Sequence, residues 1–125
     1  MDIIIPYYGQ IHTLECSIGP WFTHNDLHIL FYPGEDYQFC CCLTEYIQGI
    51  NNDKDCAFID TEEENREIID WLVSTEIAYP TGRKVVCGDC IFPEYRFDPA
   101  ALAALDPEGY SKYCSGFNEC QNGET

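Results

Sequence analysis

The first third of the chain consists of short apolar runs separated by residues that interrupt regular structure. Each run is rich in β-branched, aromatic or cysteine residues and is bounded by Gly, Pro, Asn or Asp, a pattern typical of β-strands. Four runs have this character, at residues 2–8, 11–18, 26–32 and 36–43. Short links at 8–10 (YGQ) and 33–36 (PGED) join neighbouring runs. We expect an antiparallel meander, because links this short cannot connect parallel strands.

A helix is predicted after a short strand at residues 56–59. Thr61 and Glu64 have the spacing of a capping box, and Asp60 offers a second capping side chain. An apolar stripe with helical spacing follows and includes Ile68 and Leu72. This stripe indicates that one face of the helix packs on the sheet.

The C-terminal part combines an extended segment with two short helices. Residues 83–97 have an extended pattern that can fold back at Gly88 and Asp89. Asp98-Pro99 and Asp106-Pro107 each pair a capping acid with proline at the first helical position. The expected fold is α+β: an antiparallel sheet of about five strands, one acidic helix packed on it and two short C-terminal helices. We expect a single domain over 1–114 and a flexible tail over 115–125.

Charge restricts the partners of this chain. It has 22 acids and six bases, a net charge of −16, and its first base is Lys54. Such a chain repels nucleic acid and anionic membranes and attracts basic proteins. The N-terminus lacks the features of a secretion signal, so we expect a cytoplasmic protein in which most of the nine cysteines are reduced.

The densest acidic segment coincides with the predicted helix. Nine acids and two bases between Asp53 and Glu76 leave a local charge of −7. Glu63, Glu67 and Asp70 are spaced to share one helix face. A solvated helix surface explains this pattern as well as a binding face does. The candidate partner-binding residues are Asp53, Asp55, Asp60, Glu62, Glu63, Glu64, Glu67 and Asp70.

The cysteines offer a second interpretation. Cys87, Cys90, Cys114 and Cys120 supply four thiols that could hold a structural zinc ion, although five residues separate the second pair. Gly88 and Asp89 also suit a two-residue hairpin turn, which would make the first two cysteines cross-strand neighbours. We identify no catalytic set and no cofactor motif, and we expect a protein that is not an enzyme.

The segment from CAFIDTEEE to LDPEGY, residues 56–110, resembles small accessory proteins carried by conjugative elements and prophages of gut bacteria. GEDYQFCCCLTEYI fits the same layout, and the motifs PTGR and YRFD are structural. In size and acidity the chain is also similar to anti-CRISPR and anti-restriction inhibitors. These resemblances imply an inhibitor that partly mimics nucleic acid.

The expected partner is therefore a basic nucleic-acid-binding protein, in particular a Cas9-like defence nuclease, with no direct binding to nucleic acid or membrane. The alternatives are a zinc-stabilised structural or adaptor module and an accessory factor of the mobile element with another protein partner.

Overall fold

The computed structural model describes residues 3–7, 10–20, 26–32, 41–47, 49–50 and 52–122. These residues form eight strands and three helices, in an α+β arrangement with only antiparallel strand pairs. The α+β class and the two C-terminal helices predicted from the sequence are confirmed. The strands divide between two four-stranded sheets, whereas the sequence indicated one sheet of about five strands.

The first sheet is built in chain order. It contains β1 (Ile3–Tyr7), β2 (Gln10–Pro20), β3 (Leu27–Tyr32) and β4 (Cys41–Cys42). Each strand pairs with its neighbour in sequence, as the predicted meander requires. Most of the predicted link at 8–10, the whole link at 33–36 and most of the predicted strand at 36–43 lie outside the described residues; Gln10 is the first residue of β2.

The second sheet has a different order, β5-β6-β8-β7. Its strands are β5 (Thr44–Glu45), β6 (Cys56–Ile59), β7 (Ala78–Cys87) and β8 (Cys90–Phe97). β8 returns from the β7–β8 turn to lie between β7 and β6. β7 is therefore an edge strand, with β5 at the opposite edge, and its register with β8 is irregular between Pro80 and Lys84.

The two sheets meet at Leu43. Its amide donates a 2.9 Å hydrogen bond to the Ile29 carbonyl, and its own carbonyl accepts one of the same length from the Asp60 amide. The neighbouring Thr44 side chain is fully buried and accepts a 3.1 Å bond from the Ile29 amide. This short segment ties β3 to the end of β6.

Helix α1 (Glu63–Ser74) begins later than its predicted cap. Glu62 occupies the N-cap position and makes no capping side-chain hydrogen bond, so the predicted capping box of Thr61 and Glu64 is wrong. The Asp60 carboxylate instead accepts a 3.0 Å bond from the Glu62 amide, before the helix starts. Ile68 and Leu72 are buried, as the apolar stripe predicted.

Helices α2 (Pro99–Leu105) and α3 (Pro107–Asn122) follow β8. Asp98 accepts a 3.0 Å bond from the Ala101 amide, and Asp106 accepts one of 3.1 Å from the Gly109 amide, so both predicted capping acids are confirmed. The helical backbone of α3 continues into the segment that we expected to be a flexible tail from residue 115, and the flexibility of that tail stays a prediction.

One apolar core joins these elements. It includes residues from both sheets and from all three helices, and its large, nearly inaccessible members include Phe31, Ile68, Phe97, Leu102 and Tyr113. In the part of the chain that the structure describes, no helix has the length and apolar character needed to cross a membrane.

Candidate functional site

An open cleft of about 460 Å³ lies at one end of the second sheet. The end of β5, the link between β6 and α1, the β7–β8 turn and the start of β8 form its walls. We call it the acidic cleft; it is lined by Glu45, Asp60, Thr61, Glu62, Asp89, Cys90, Ile91 and Phe92. Four of these eight residues are acids and none is a base. Ile91 and Phe92 add apolar side chains beside the carboxylates.

Backbone pairing brings the acidic residues together. Glu45 ends β5 and pairs with Phe58 of β6, and Asp60 follows β6 directly. The Asn65 side chain, which is only 2% exposed, donates a 2.8 Å hydrogen bond to the Asp60 carbonyl and so fixes the first turn of α1 against this link. Glu62 is held at the same rim because its amide is bonded to the Asp60 carboxylate.

The carboxylates of the acidic cleft disfavour one another's ionised forms. The pKa of Glu45 is raised above its usual value, first by partial burial and then by the nearby carboxylates of Asp60 and Glu62. Each of these effects penalises the ionised form. A cation placed among the three carboxylates would remove part of that penalty, so this geometry favours a positively charged ligand.

The β7–β8 hairpin supplies the apolar wall. Cys87 and Cys90 pair at its tip, and the two residues between them form the turn, with Gly88 at a φ of 62°. The hairpin interpretation of this CxxC sequence is therefore confirmed. Val86 and Ile91 pair directly behind the tip and are 65% and 53% exposed. Ile91 also lines the acidic cleft, so the exposed apolar surface and the carboxylates adjoin.

A buried carboxylate holds the base of this hairpin. Glu94 is 5% exposed and accepts hydrogen bonds from the side chains of Asn52 (2.6 Å), Thr81 (2.8 Å) and Arg83 (3.3 Å). The Arg83 guanidinium also lies 5.4 Å from the centre of the Phe58 ring. These contacts span the irregular part of β7 and fix where the hairpin leaves the sheet.

Only two of the eight predicted partner-binding residues, Asp60 and Glu62, line the acidic cleft. Asp53 and Asp70, which belong to the same predicted set, are exposed but do not line the cleft. The backbones of Glu63 and Glu64 lie in the first turn of α1, and their side chains lie outside the described part of the structure. The role of these exposed acids in binding stays a prediction.

Asp55 was predicted to bind a partner, but the structure places it in the interior of the protein. It is 7% exposed and has a φ of 68°. The Tyr110 hydroxyl donates a 2.7 Å hydrogen bond to its carboxylate, and its amide donates a 2.9 Å bond to the Tyr113 hydroxyl. Burial, together with the bond to Asp55, raises the pKa of Tyr110. Asp55 therefore holds α3 in place and is not available to a partner.

Glu67 also differs from the prediction of a solvated acidic face. It is half-buried, and its Oε2 atom is inaccessible and has no hydrogen-bond partner among the described residues. Asp70, one turn further along, is exposed. Their spacing in sequence does not give them the same environment, because Glu67 lies on the flank of α1 that turns towards the protein.

Two acids of the acidic cleft were not among the predicted site residues, Glu45 and Asp89. Each is the sole acid in its own short segment of strand or turn, so neither stands out in the local sequence. The pairing of β5 with β6 and the hairpin turn at 88–89 are the signals that could have placed them beside Asp60.

The alternative zinc site is not assembled among the described residues. Within that part of the chain, no three His, Cys, Asp or Glu side chains are grouped closely enough to hold a metal ion. Cys87 and Cys90 are exposed at the hairpin tip, and Cys114 is half-buried in α3. The Cys120 side chain lies outside the described part of the structure. Within the described part of the structure, Cys87, Cys90 and Cys114 thus do not come together in the closed set that a structural zinc ion requires.

Comparison with known proteins gives a family but no described activity. Residues 15–117 match the family described as "Domain of unknown function (DUF4313)". Searches of curated proteins and of solved structures found no match. The family match covers most of the chain, including the whole acidic cleft, and the protein therefore belongs to the DUF4313 family.

Proposed function

We propose that this protein is a non-enzymatic inhibitor that binds the basic nucleic-acid-binding surface of a bacterial defence nuclease in the cytoplasm. The acidic cleft is the observation that supports this function best. It gathers Glu45, Asp60, Glu62 and Asp89 around one concave surface and has no basic residue in its described lining. The net charge of −16 adds a long-range attraction for basic partners.

The chemistry of the acidic cleft favours arginine or lysine side chains of a protein over a free metal ion. Carboxylates bind guanidinium groups through paired, charge-assisted hydrogen bonds. The adjoining Ile91 and Phe92 offer apolar surface for the aliphatic part of such a side chain. Exposed Val86 extends this surface along the hairpin, and apolar area of this kind contributes affinity that charge alone does not supply.

Nucleases that use a guide RNA suit this partner chemistry. They hold nucleic acid through arginine and lysine residues, both in the channel for the heteroduplex and where they read the adjacent DNA motif. An acidic protein that occupies such residues competes directly with DNA. We therefore propose a Cas9-like effector as the target class, with partial imitation of nucleic-acid charge as the mechanism of inhibition.

Charge reversal at the acidic cleft tests this function. The variant carries Glu62→Lys and Asp89→Lys and is compared with the wild type for binding to purified guide-loaded Cas9-like nucleases and for protection of target DNA from cleavage. We expect an affinity loss of at least about tenfold, because repulsive contacts replace attractive ones at the interface. Binding of the wild type should also weaken as salt concentration rises.

The matched control carries Glu76→Lys and Glu108→Lys, two exposed acids that lie outside both the acidic cleft and the predicted partner-binding set and that change the net charge by the same amount. We expect the control to retain most of the affinity and inhibition. Equal losses in the two variants would reject the acidic cleft as the binding site in favour of overall charge. A wild-type protein that neither binds nor protects against any nuclease of this class would reject the proposed function.

A further inference from the structure

Two exposed cysteines form the last backbone pair at the tip of the β7–β8 hairpin. Cys87 and Cys90 are paired residues of adjacent antiparallel strands, and only Gly88 and Asp89 separate them. Both are free and exposed. Among the other described cysteines, Cys16 and Cys56 are buried. The hairpin tip thus presents two accessible thiols whose relative position is fixed by the strand pairing.

The backbone geometry at this pair permits a disulfide. Directly opposed residues of antiparallel strands have Cα atoms about 4.5–5.5 Å apart, and disulfides join residues with Cα atoms about 4.4–6.8 Å apart. Opposed side chains also project from the same face of the ladder, which brings the two sulfur atoms to one side. The tight turn needs no rearrangement, because Gly88 already adopts the positive φ of 62° that other residues rarely tolerate.

We propose that Cys87 and Cys90 form a reversible intramolecular disulfide by exchange with a small-molecule disulfide such as oxidised glutathione. One cysteine thiolate attacks a sulfur atom of the small disulfide, forms a mixed disulfide and releases one small thiol. The second cysteine thiolate then attacks the protein sulfur of that mixed disulfide and releases the second small thiol. The protein loses two hydrogen atoms in total, and the oxidant is reduced to two thiols.

The proposed disulfide lies at the edge of the acidic cleft. Asp89 and Cys90 both line the cleft, so the bond would form in its rim. Cys16 contrasts with the hairpin thiols, because burial raises its pKa to about 12 and leaves little reactive thiolate. Formation of the hairpin disulfide does not depend on a partner, and its test therefore stands apart from the nuclease experiment.

Trypsin isolates this pair from all other cysteines. Cleavage after Lys84 and Arg96 releases the peptide Val85–Arg96, which contains Cys87 and Cys90 and no other cysteine. The folded full-length protein is equilibrated in buffers of increasing oxidised-to-reduced glutathione ratio, quenched with acid, alkylated under denaturing conditions and digested. We expect this peptide to change from two alkyl groups to none, with a two-electron dependence on the glutathione ratio. Mass spectrometry measures the two forms.

Single substitutions complete the test. Cys87→Ser should leave Cys90 as a mixed disulfide with glutathione in the oxidising buffers, because the second exchange step has lost its thiol. Cys114→Ser, at a half-buried position in α3, should leave the oxidation of the peptide unchanged. A wild-type peptide that keeps two alkyl groups at every ratio would overturn the proposal. So would a peptide that remains glutathionylated or becomes cross-linked to another peptide.

Discussion

The Tyr110 hydroxyl donates a 2.7 Å hydrogen bond to the Asp55 carboxylate, across 55 positions of the sequence, and so ties helix α3 to the turn before β6. The Phe97 amide donates a 2.8 Å bond to the Asp55 carbonyl, which joins β8 to the same residue. Asp55 is therefore an acid whose position serves the fold.

Substitution Tyr110→Phe should lower the free energy of unfolding by about 1–3 kcal/mol, because it removes a hydrogen bond from a buried carboxylate without removing the ring. Urea unfolding followed by circular dichroism measures the change. Tyr79→Phe is the matched control: Tyr79 is 51% exposed, and we expect a change within about 0.5 kcal/mol. Equal effects of the two substitutions would contradict the role given to Asp55.

Gly109→Ala tests the close packing of α3 on β2. A Cβ atom at this position would overlap the Ile18 carbonyl oxygen and the Asp106 carboxylate. That carboxylate also accepts a 2.8 Å bond from the Ile18 amide, so neither neighbour can move away independently. We expect a net loss of about 1–3 kcal/mol, despite the higher helix propensity of alanine.

Gly19→Ala provides the comparison for this substitution, because a Cβ atom there meets nothing within 4 Å. Its effect on the urea midpoint should be small. A Gly109→Ala protein as stable as the wild type would show that α3 does not need this close approach to β2.

Glu45→Gln should stabilise the protein at neutral pH by up to about 1 kcal/mol, the scale of partly exposed charge interactions. The folded-state pKa of Glu45 is raised above its unfolded value near 4.5 by burial, Asp60 and Glu62. The stability contributed by the protonated side chain is therefore fully present below pH 4.5 and lost as the pH rises through the folded pKa. The gain from glutamine should accordingly disappear in acid.

Thermal unfolding of both proteins over a series of pH values measures this difference. Glu108→Gln is the control, because its side chain is 85% exposed and lies 3.8 Å from the Lys112 ammonium. It should give no stabilisation that grows with pH. A constant difference between Glu45→Gln and wild type at all pH values would contradict the electrostatic explanation.

Thr81→Val should destabilise the hairpin by about 1–3 kcal/mol, because Glu94 is buried and loses the 2.8 Å bond from the threonine hydroxyl. Valine keeps the β-branched shape that suits a strand. Hydrogen exchange of the amides in β7 and β8 measures the local effect. Thr61→Val, at an exposed position of the acidic cleft, should leave this exchange unchanged.

Features that depend on a few neighbouring residues could be predicted from the sequence. The helix starts at Asp98-Pro99 and Asp106-Pro107 follow from capping acids beside proline, and the turn at Gly88-Asp89 follows from its two small or polar residues between apolar runs. The start of α1 could not be predicted in this way. There the buried Asn65 side chain donates to the Asp60 carbonyl and the Asp60 carboxylate accepts from the Glu62 amide, and these contacts take the place of the predicted capping box.

The acidic cleft required information that local patterns do not contain. Glu45 and Asp60 meet because β5 pairs with β6, and Asp89 joins them because β8 lies beside β6. The density of acidic residues along the sequence instead predicted that the partner-binding site lies on and around α1. This prediction included Asp55, whose distant tyrosine partners make it an interior residue, and it gave no sign that Glu67 is half-buried.

The irregular outer strand β7 also affects how the protein behaves at high concentration. Pro80 has no amide hydrogen to donate, Gly82 has a φ of 91°, and the register with β8 changes before Lys84. A neighbouring molecule cannot extend a regular ladder along such a strand, and the lysine charge further opposes stacking. The β7 edge of the second sheet is thus a poor template for the addition of a strand from another molecule.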